Sequence, residues 1–242
     1  MNKHVVCLYE ESGFSAEQWA VNGHDVYCYD ILNTEERVEN VGKGRKVFVP
    51  WDATDSLQND AIYARHNGKA AIMLAYPPCT DLAVSGAAWF ASKKAANPNY
   101  RDEAMALVYI AHNMGEALGC PYAIENPVSV ISSQWRKPDH IFNPYEYGGY
   151  LPEDDIHPTY PEYIEPRDAY PKKTCYWVGG GFIMPEPKPV PYASGYSKQH
   201  SKLGGKSEKT KRIRSASPRG IAKAIYEAHN PAHACCVGKE MK

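Results

Sequence analysis

Apolar residues in the first half of the chain fall into short β-branched runs separated by stretches of helical spacing. Residues 4–9 (HVVCLY) form such a run, ended by the acidic, glycine-containing turn EESG. Residues 15–21 read as a helix capped by Ser15 or Ser12 and stopped at Gly23, and residues 25–29 as a second strand closed by Asp30. The pattern repeats with a strand at 46–50 ending near Asp52, a helix at 56–66, and a buried strand at 69–76 that runs into Pro77-Pro78-Cys79. Residues 101–118 make the strongest helix, with apolar positions 104, 107, 108, 111, 114 and 118 on one face and Gly119 as the C-terminal cap. A strand at 121–124 then delivers Glu125-Asn126-Pro127. Alternating strands and helices predict an α/β fold with a parallel sheet covered on both faces, opening as a Rossmann-like half.

After residue 121 the texture changes. Residues 121–191 hold 13 of the 19 prolines and many tyrosines, which predicts a loop-rich region with one strand at 174–178. Residues 198–219 carry eight lysines and arginines against the single acid Glu208, and an amphipathic helix at 218–229 follows. The expected division is a catalytic core at 1–129, a small lobe at 130–200 as the candidate for target recognition, a basic segment with a closing helix returning to the core at 201–230, and a loose tail at 231–242.

Composition narrows the classes. With 43% hydrophobic and 23% charged residues over 242 positions, the chain has enough apolar material for a core that needs neither disulfides nor metal. A net charge of −1 decides nothing about nucleic acid, so the basic segment must carry that question. Lysine and arginine supply the sequence-independent part of nucleic-acid affinity, which makes residues 198–219 a candidate phosphate-tracking segment. The seven cysteines, at 7, 28, 79, 120, 175, 235 and 236, are odd in number and irregular in spacing. They show no disulfide framework, and a reduced, cytoplasmic setting is expected. The first apolar run is too short for a signal peptide, and no 18-residue apolar stretch exists, so no membrane association is expected. His229, His233, Cys235 and Cys236 lack a second well-spaced pair, and no metal is expected. Gly204-Gly205-Lys206-Ser207 has the end of a phosphate loop but has His200 where the earlier glycine belongs.

In open parallel sheets, ligands bind beyond the carboxyl ends of the strands. This chain puts unusual chemistry at those ends: Glu10 to Gly13, Asp30, Asp52, Pro77 to Cys79, and Glu125 to Pro127. An acid such as Asp30 suits a ribose, since one carboxylate accepts from both hydroxyls. Two prolines hold Cys79 on a stiff segment, where a thiolate can be aimed as a nucleophile. A carboxyl group on the neighbouring strand can protonate a pyrimidine ring while the thiolate adds to one face of it.

Pro77-Pro78-Cys79 resembles the Pro-Cys nucleophile motif of the DNA cytosine-5 methyltransferases, and Glu125-Asn126-Pro127 resembles their Glu-Asn-Val motif. Ser85-Gly86-Ala87, Trp135-Arg136-Lys137-Pro138, Lys173-Thr174-Cys175, Arg214-Ser215 and Ser217-Pro218 are similar to a group of short phage-encoded members, over roughly residues 4–227. The resemblance implies a Rossmann-like S-adenosyl-L-methionine-dependent methyltransferase fold with a small loop-rich insertion lobe. It implies Cys79 and Glu125 as catalytic residues. Glu10, Ser12, Gly13, Asp30, Asp52 and Pro77 would lie around S-adenosyl-L-methionine. Pro78, Asn126 and Arg212 or Arg214 would meet the cytosine or its phosphates. DNA is the implied partner, in a bacterial or phage-infected cytoplasm, with the protein acting as a monomer. Glu10 and Ser12 stand where the family's cofactor loop has glycines, and Glu10 is expected to pair with the methionine ammonium.

Overall fold

The computed structural model describes residues 3–192, 195, 197–204 and 207–230. Its elements are β1 (His4–Leu8), α1 (Glu17–Val21), β2 (Asp25–Asp30), β3 (Arg37–Val41), β4 (Gly44–Pro50), α2 (Ser56–His66), β5 (Ala70–Ala75), α3 (Phe90–Ala96), α4 (Tyr100–Leu118), β6 (Tyr122–Pro127), α5 (Ile131–Gln134), β7 (His140–Phe142), β8 (Thr174–Gly179), α6 (Lys198–Lys202), α7 (Glu208–Ser215) and α8 (Arg219–His229). They group into two compact units. Residues 3–13, 19–141 and 174–182 form the first, and residues 14–18, 142–173 and the described residues from 183 onward form the second.

The first unit is built on an eight-stranded sheet of order β3-β4-β2-β1-β5-β6-β8-β7. Strands β4, β2, β1, β5 and β6 run parallel. The all-parallel expectation needs correction at two places. β3 pairs antiparallel with β4 as an edge hairpin, and β8 pairs antiparallel with β6, setting Glu125 opposite Tyr176. β3 (RVENV) is exposed along nearly its whole length, so no apolar alternation marks it. The inner strands are buried on both faces, and alternate residues join one cluster: Val6 and Leu8, Tyr27 and Tyr29, Met73 and Ala75, and Tyr122 and Ile124 pack with Ile62 of α2 and six α4 residues from Ala104 to Leu118. Asp55 caps α2 by accepting the Leu57 and Gln58 amides, and Gly119 (φ 60°) ends α4 in the left-handed conformation.

The chain leaves β1 for β2 and β4 on one side and returns through α2 to β5 on the other. β1 and β5 therefore flank the point where strand order reverses, and the crevice beyond their carboxyl ends is where an open α/β sheet takes its ligands. Among the described residues no helix is long and apolar enough to cross a membrane.

Among its described residues, the second unit has little regular structure outside α6, α7 and α8. Residues 144–150 and 166–168 form 3-10 turns, each opened by a proline. Its closing helix α8 packs on residues 144–150. Three bonds hold its start. Asp155 takes both Nη atoms of Arg219, at 2.8 and 2.6 Å, and Asp168 accepts the Gly220 amide at 2.7 Å. Tail residues 231–242, with His233, Cys235 and Cys236, lie outside the described residues, as do Gly205 and Lys206.

Candidate active site

Two prolines at the end of β5 carry the chain into the Cys79 turn. The Cys79 carbonyl accepts from the Leu82 amide at 3.1 Å and the Ala83 amide at 2.8 Å, closing a tight loop, and the Cys79 thiol is exposed. Cys7, Cys28, Cys120 and Cys175 are buried. The next strand, β6, brings its own tip alongside, since Ala75 pairs with Ile124. Asn126 Nδ2 then donates to the Pro77 carbonyl at 2.9 Å. Beyond that bond the two loops continue as a short ladder. Val84 donates to the Val128 carbonyl, Val130 donates to the Leu82 carbonyl, and Ala83 bridges Ser129. The turn bearing Cys79 and the strand end bearing Glu125 are thus stitched together by backbone and one amide side chain. Asn126 is 1% exposed, its Oδ1 buried without a hydrogen-bond partner, while Glu125 is half-buried. Pro78 is exposed beside the thiol.

The other side of the crevice is organised by carboxylates. Glu10, 5% exposed, turns Oε1 back on its own loop and accepts the Ser12 amide (2.9 Å), the Ser12 hydroxyl (2.5 Å) and the Gly13 amide (2.9 Å). Gly13 has φ 68°, and a Cβ there would lie 2.9 Å from Cδ of Lys46 and 3.1 Å from the Phe48 ring, so glycine is needed for both backbone and space. Asp30 ends β2 and accepts the Leu32 amide at 2.8 Å. Burial raises its pKa, and Glu11 and Glu10 push the same way, so three acids act on one another at the tips of β1 and β2. Asp52, just past β4, accepts the Thr54 hydroxyl and amide, and these two bonds lower its pKa. Each of these acids spends one oxygen on fixing its own turn.

Several residues at this end are not legible as site residues in the sequence. Tyr9 follows β1 with φ 60°, a conformation a bulky L-residue adopts only under constraint. Its hydroxyl donates to the Leu107 carbonyl at 2.9 Å, and its ring lies 4.8 Å from that of Trp51. Lys46 is 5% exposed beside Gly13. Asn33 ties the tips of β2 and β4 by donating to the Cys28 and Val49 carbonyls. Ile31 and Leu32, next to Asp30, are 70% and 58% exposed. Large apolar side chains so open, beside a partly buried acid, were the one available signal, since the sequence already placed them just past a strand end.

Glu10, Glu11 and Asp30 gather negative charge at the tips of β1 and β2, which would suit a cationic ligand that also carries hydroxyl donors. Among the described residues no group of three or more His, Cys, Asp or Glu is arranged to hold a metal ion. Arg212 and Arg214 are exposed on α7 of the second unit. The Arg214 guanidinium donates to the Leu203 carbonyl at 2.8 Å, and its own carbonyl accepts from Lys172 Nζ at 3.0 Å.

No protein-family model matches the chain, and no curated protein matches it. Among solved structures it is similar to a prophage-encoded E. coli protein described as a DNA modification methyltransferase, with 13% identity and a TM-score of 0.44. The match covers 74% of this chain and 46% of that one, so the chain spans less than half that protein's length.

Proposed function

We propose that the chain is a DNA cytosine-5 methyltransferase using S-adenosyl-L-methionine, with Cys79 as nucleophile and Glu125 as the acid. One observation carries the reading. The bond from Asn126 Nδ2 to the Pro77 carbonyl locks the Cys79 turn to the strand end bearing Glu125, beside a crevice rich in carboxylates. A thiolate and a carboxyl group held on adjacent strand tips are the two groups needed to activate a pyrimidine ring from one side.

Cys79 forms a bond from Sγ to carbon 6 of cytosine, and the electron pair of the 5,6 double bond moves toward carbon 5. Glu125 holds nitrogen 3 and shares its proton there, so the negative charge does not build up on the ring. S-adenosyl-L-methionine, when bound, supplies an electrophilic methyl group for carbon 5. Loss of the carbon 5 proton to a base then restores the double bond and releases the Cys79 thiolate. In a duplex the cytosine first leaves the stack, which costs roughly a few kcal/mol. The basic residues of α6 and α7, with Arg212 or Arg214 among them, supply phosphate contacts that offset this cost.

A second reading, a DNA-binding protein without catalysis on the same fold, is favoured by the Glu10 turn. That carboxylate stands where the family has glycine and folds back on its own loop. Transfer of a tritiated methyl group, assayed on duplex DNA, single strands and dCMP, separates the readings. Label on duplex DNA is the expected result. Label confined to dCMP would move the activity to free nucleotides, and no label with retained DNA binding would favour the second reading.

A further inference from the structure

Helix α3 follows the Cys79 turn and sends one side chain back to it. Lys93 Nζ donates to the Thr80 carbonyl at 2.7 Å and to Asp81 Oδ1 at 2.7 Å. Thr80 is bonded directly to Cys79, and Asp81 is one residue further on. The turn therefore has an inner brace, in which the Cys79 carbonyl accepts from Leu82 and Ala83, and an outer brace, the lysine. Side-chain exposures of 28% for Lys93 and 37% for Asp81 make this a part-exposed ion pair, and such pairs add little to global stability. Its weight falls locally, on the five residues that carry the thiol.

We infer that Lys93 is a positioning residue for Cys79: its ammonium group pins the turn that presents the thiol and neutralises the carboxylate next to it. The inference rests on reading Cys79 as the nucleophile. An unpaired Asp81 carboxylate two residues away would disfavour the thiolate by like-charge repulsion, and the ammonium removes that penalty. Charged groups on the elements around the turn include Asp81 itself, Lys93 and Lys94 on α3, Arg101, Asp102 and Glu103 in the first turn of α4, with the Arg101 guanidinium 4.3 Å from the Phe90 ring centroid, and Glu125 on β6. Lys93 is bonded to the turn at two places, the Thr80 carbonyl and the Asp81 carboxylate.

The test is the pH profile of Cys79 alkylation by iodoacetamide, followed on the Cys79 peptide by mass spectrometry in the full-length protein. Lys93→Met should shift the profile to higher pH and slow alkylation near neutrality by about three- to tenfold. Lys93→Arg should stay close to the parent. Lys93→Met combined with Asp81→Asn should recover most of the shift, which a purely mechanical tether would not do. If Lys93→Met fails to fold, Asp81→Asn alone keeps the lysine bond to Thr80 and should move the profile to lower pH. Superimposable profiles for the parent and the folded variants would overturn the inference. Alkylation needs neither cofactor nor DNA, so a shifted profile without methyl transfer would keep the brace and remove the methyltransferase reading. Methyl transfer with an unmoved profile would do the reverse.

Discussion

The tips of β5 and β6 and the tips of β1 and β2 solve the same problem by different chemistry. Both must hold irregular backbone in a fixed shape at the end of a sheet. At β5 and β6 the bonds that cross between strands are neutral, through Asn126 to Pro77 and the ladder from Val84 to Val130, and charge enters only through the Lys93 brace from α3. At β1 and β2 it is anionic and local, with Glu10 and Asp30 each accepting amides of their own turns. Neutral cross-strand bonds leave the thiol and Glu125 available for chemistry while their backbone stays braced. Carboxylates that double as turn caps link the shape of the loop to the charge it offers a ligand. Damage at the first pair of tips should therefore strike turnover alone, and damage at the second should strike cofactor affinity and local order together.

The largest expected effect is at the nucleophile. Cys79→Ser should lower single-turnover methyl transfer by at least about a thousandfold, since an alcohol is far less ionised than a thiol at neutral pH. Glu125→Gln should cost about a hundred- to a thousandfold in kcat. Cofactor affinity measured by calorimetry should hold within about twofold for both, well under 1 kcal/mol. Equal losses of turnover and cofactor binding would erase the distinction between the two pairs of tips.

Glu10 sharpens the comparison from the other side. Glu10→Gln keeps an oxygen at the position that accepts the Ser12 and Gly13 amides but removes the charge. Thermal stability should then change little, while cofactor affinity falls about tenfold, the scale of one charge-assisted bond. Glu10→Ala leaves two amides without their acceptor and should cost about 1–3 kcal/mol of stability in addition. If the two variants bind cofactor as the parent does, the carboxylate is only a turn cap.

The difference in chemistry also decides what could be read from sequence. The β5 and β6 tips were legible because prolines and a Glu-Asn-Pro run following buried strands are local signals, and α4 was legible from its apolar spacing and its C-terminal glycine. β3 escaped because an exposed edge strand carries no apolar alternation; β8 was legible as a strand at 174–178, but its antiparallel place beside β6 is a long-range choice. Lys46 escaped for a related reason: a lysine in a short strand reads as solvent-facing unless its neighbour across the sheet is known. The second unit was recognisable as loop-rich from its prolines. The joining of Asp155 and Asp168 to the start of α8, over 64 and 52 positions, has no local signature.

The smallest expected effect is acid sensitivity, and it belongs to the β1 and β2 side. His66, fully buried at the end of α2, joins the two strands: its Nδ1 lies 3.0 Å from Nδ1 of His4, and its Nε2 lies 2.7 Å from the Tyr29 hydroxyl. Burial, reinforced by the nearby His4, Arg65 and Lys69, pulls its pKa down to about 3, and His4 is lowered as well. Between that value and the ordinary histidine value of about 6.5, the unfolded chain takes up a proton that folded His66 refuses. Stability from this group is therefore complete above about pH 6.5 and drains as pH falls toward 3, by at most about 1.4 kcal/mol per pH unit. Asp168 in the second unit acts with the opposite sign. Burial raises its pKa to about 6, so the folded state gains on acidification from there down to the ordinary carboxylate range. Denaturation midpoints of the parent and His66→Gln at pH 7.5, 6.5 and 5.5 isolate the histidine contribution, because Asp168 and the surface acids are common to both. The parent should lose more between 6.5 and 5.5 than the variant does, by up to about 1 kcal/mol. Parallel curves would mean that His66 is protonated in the fold, and that the bond to His4 is not made between two neutral rings.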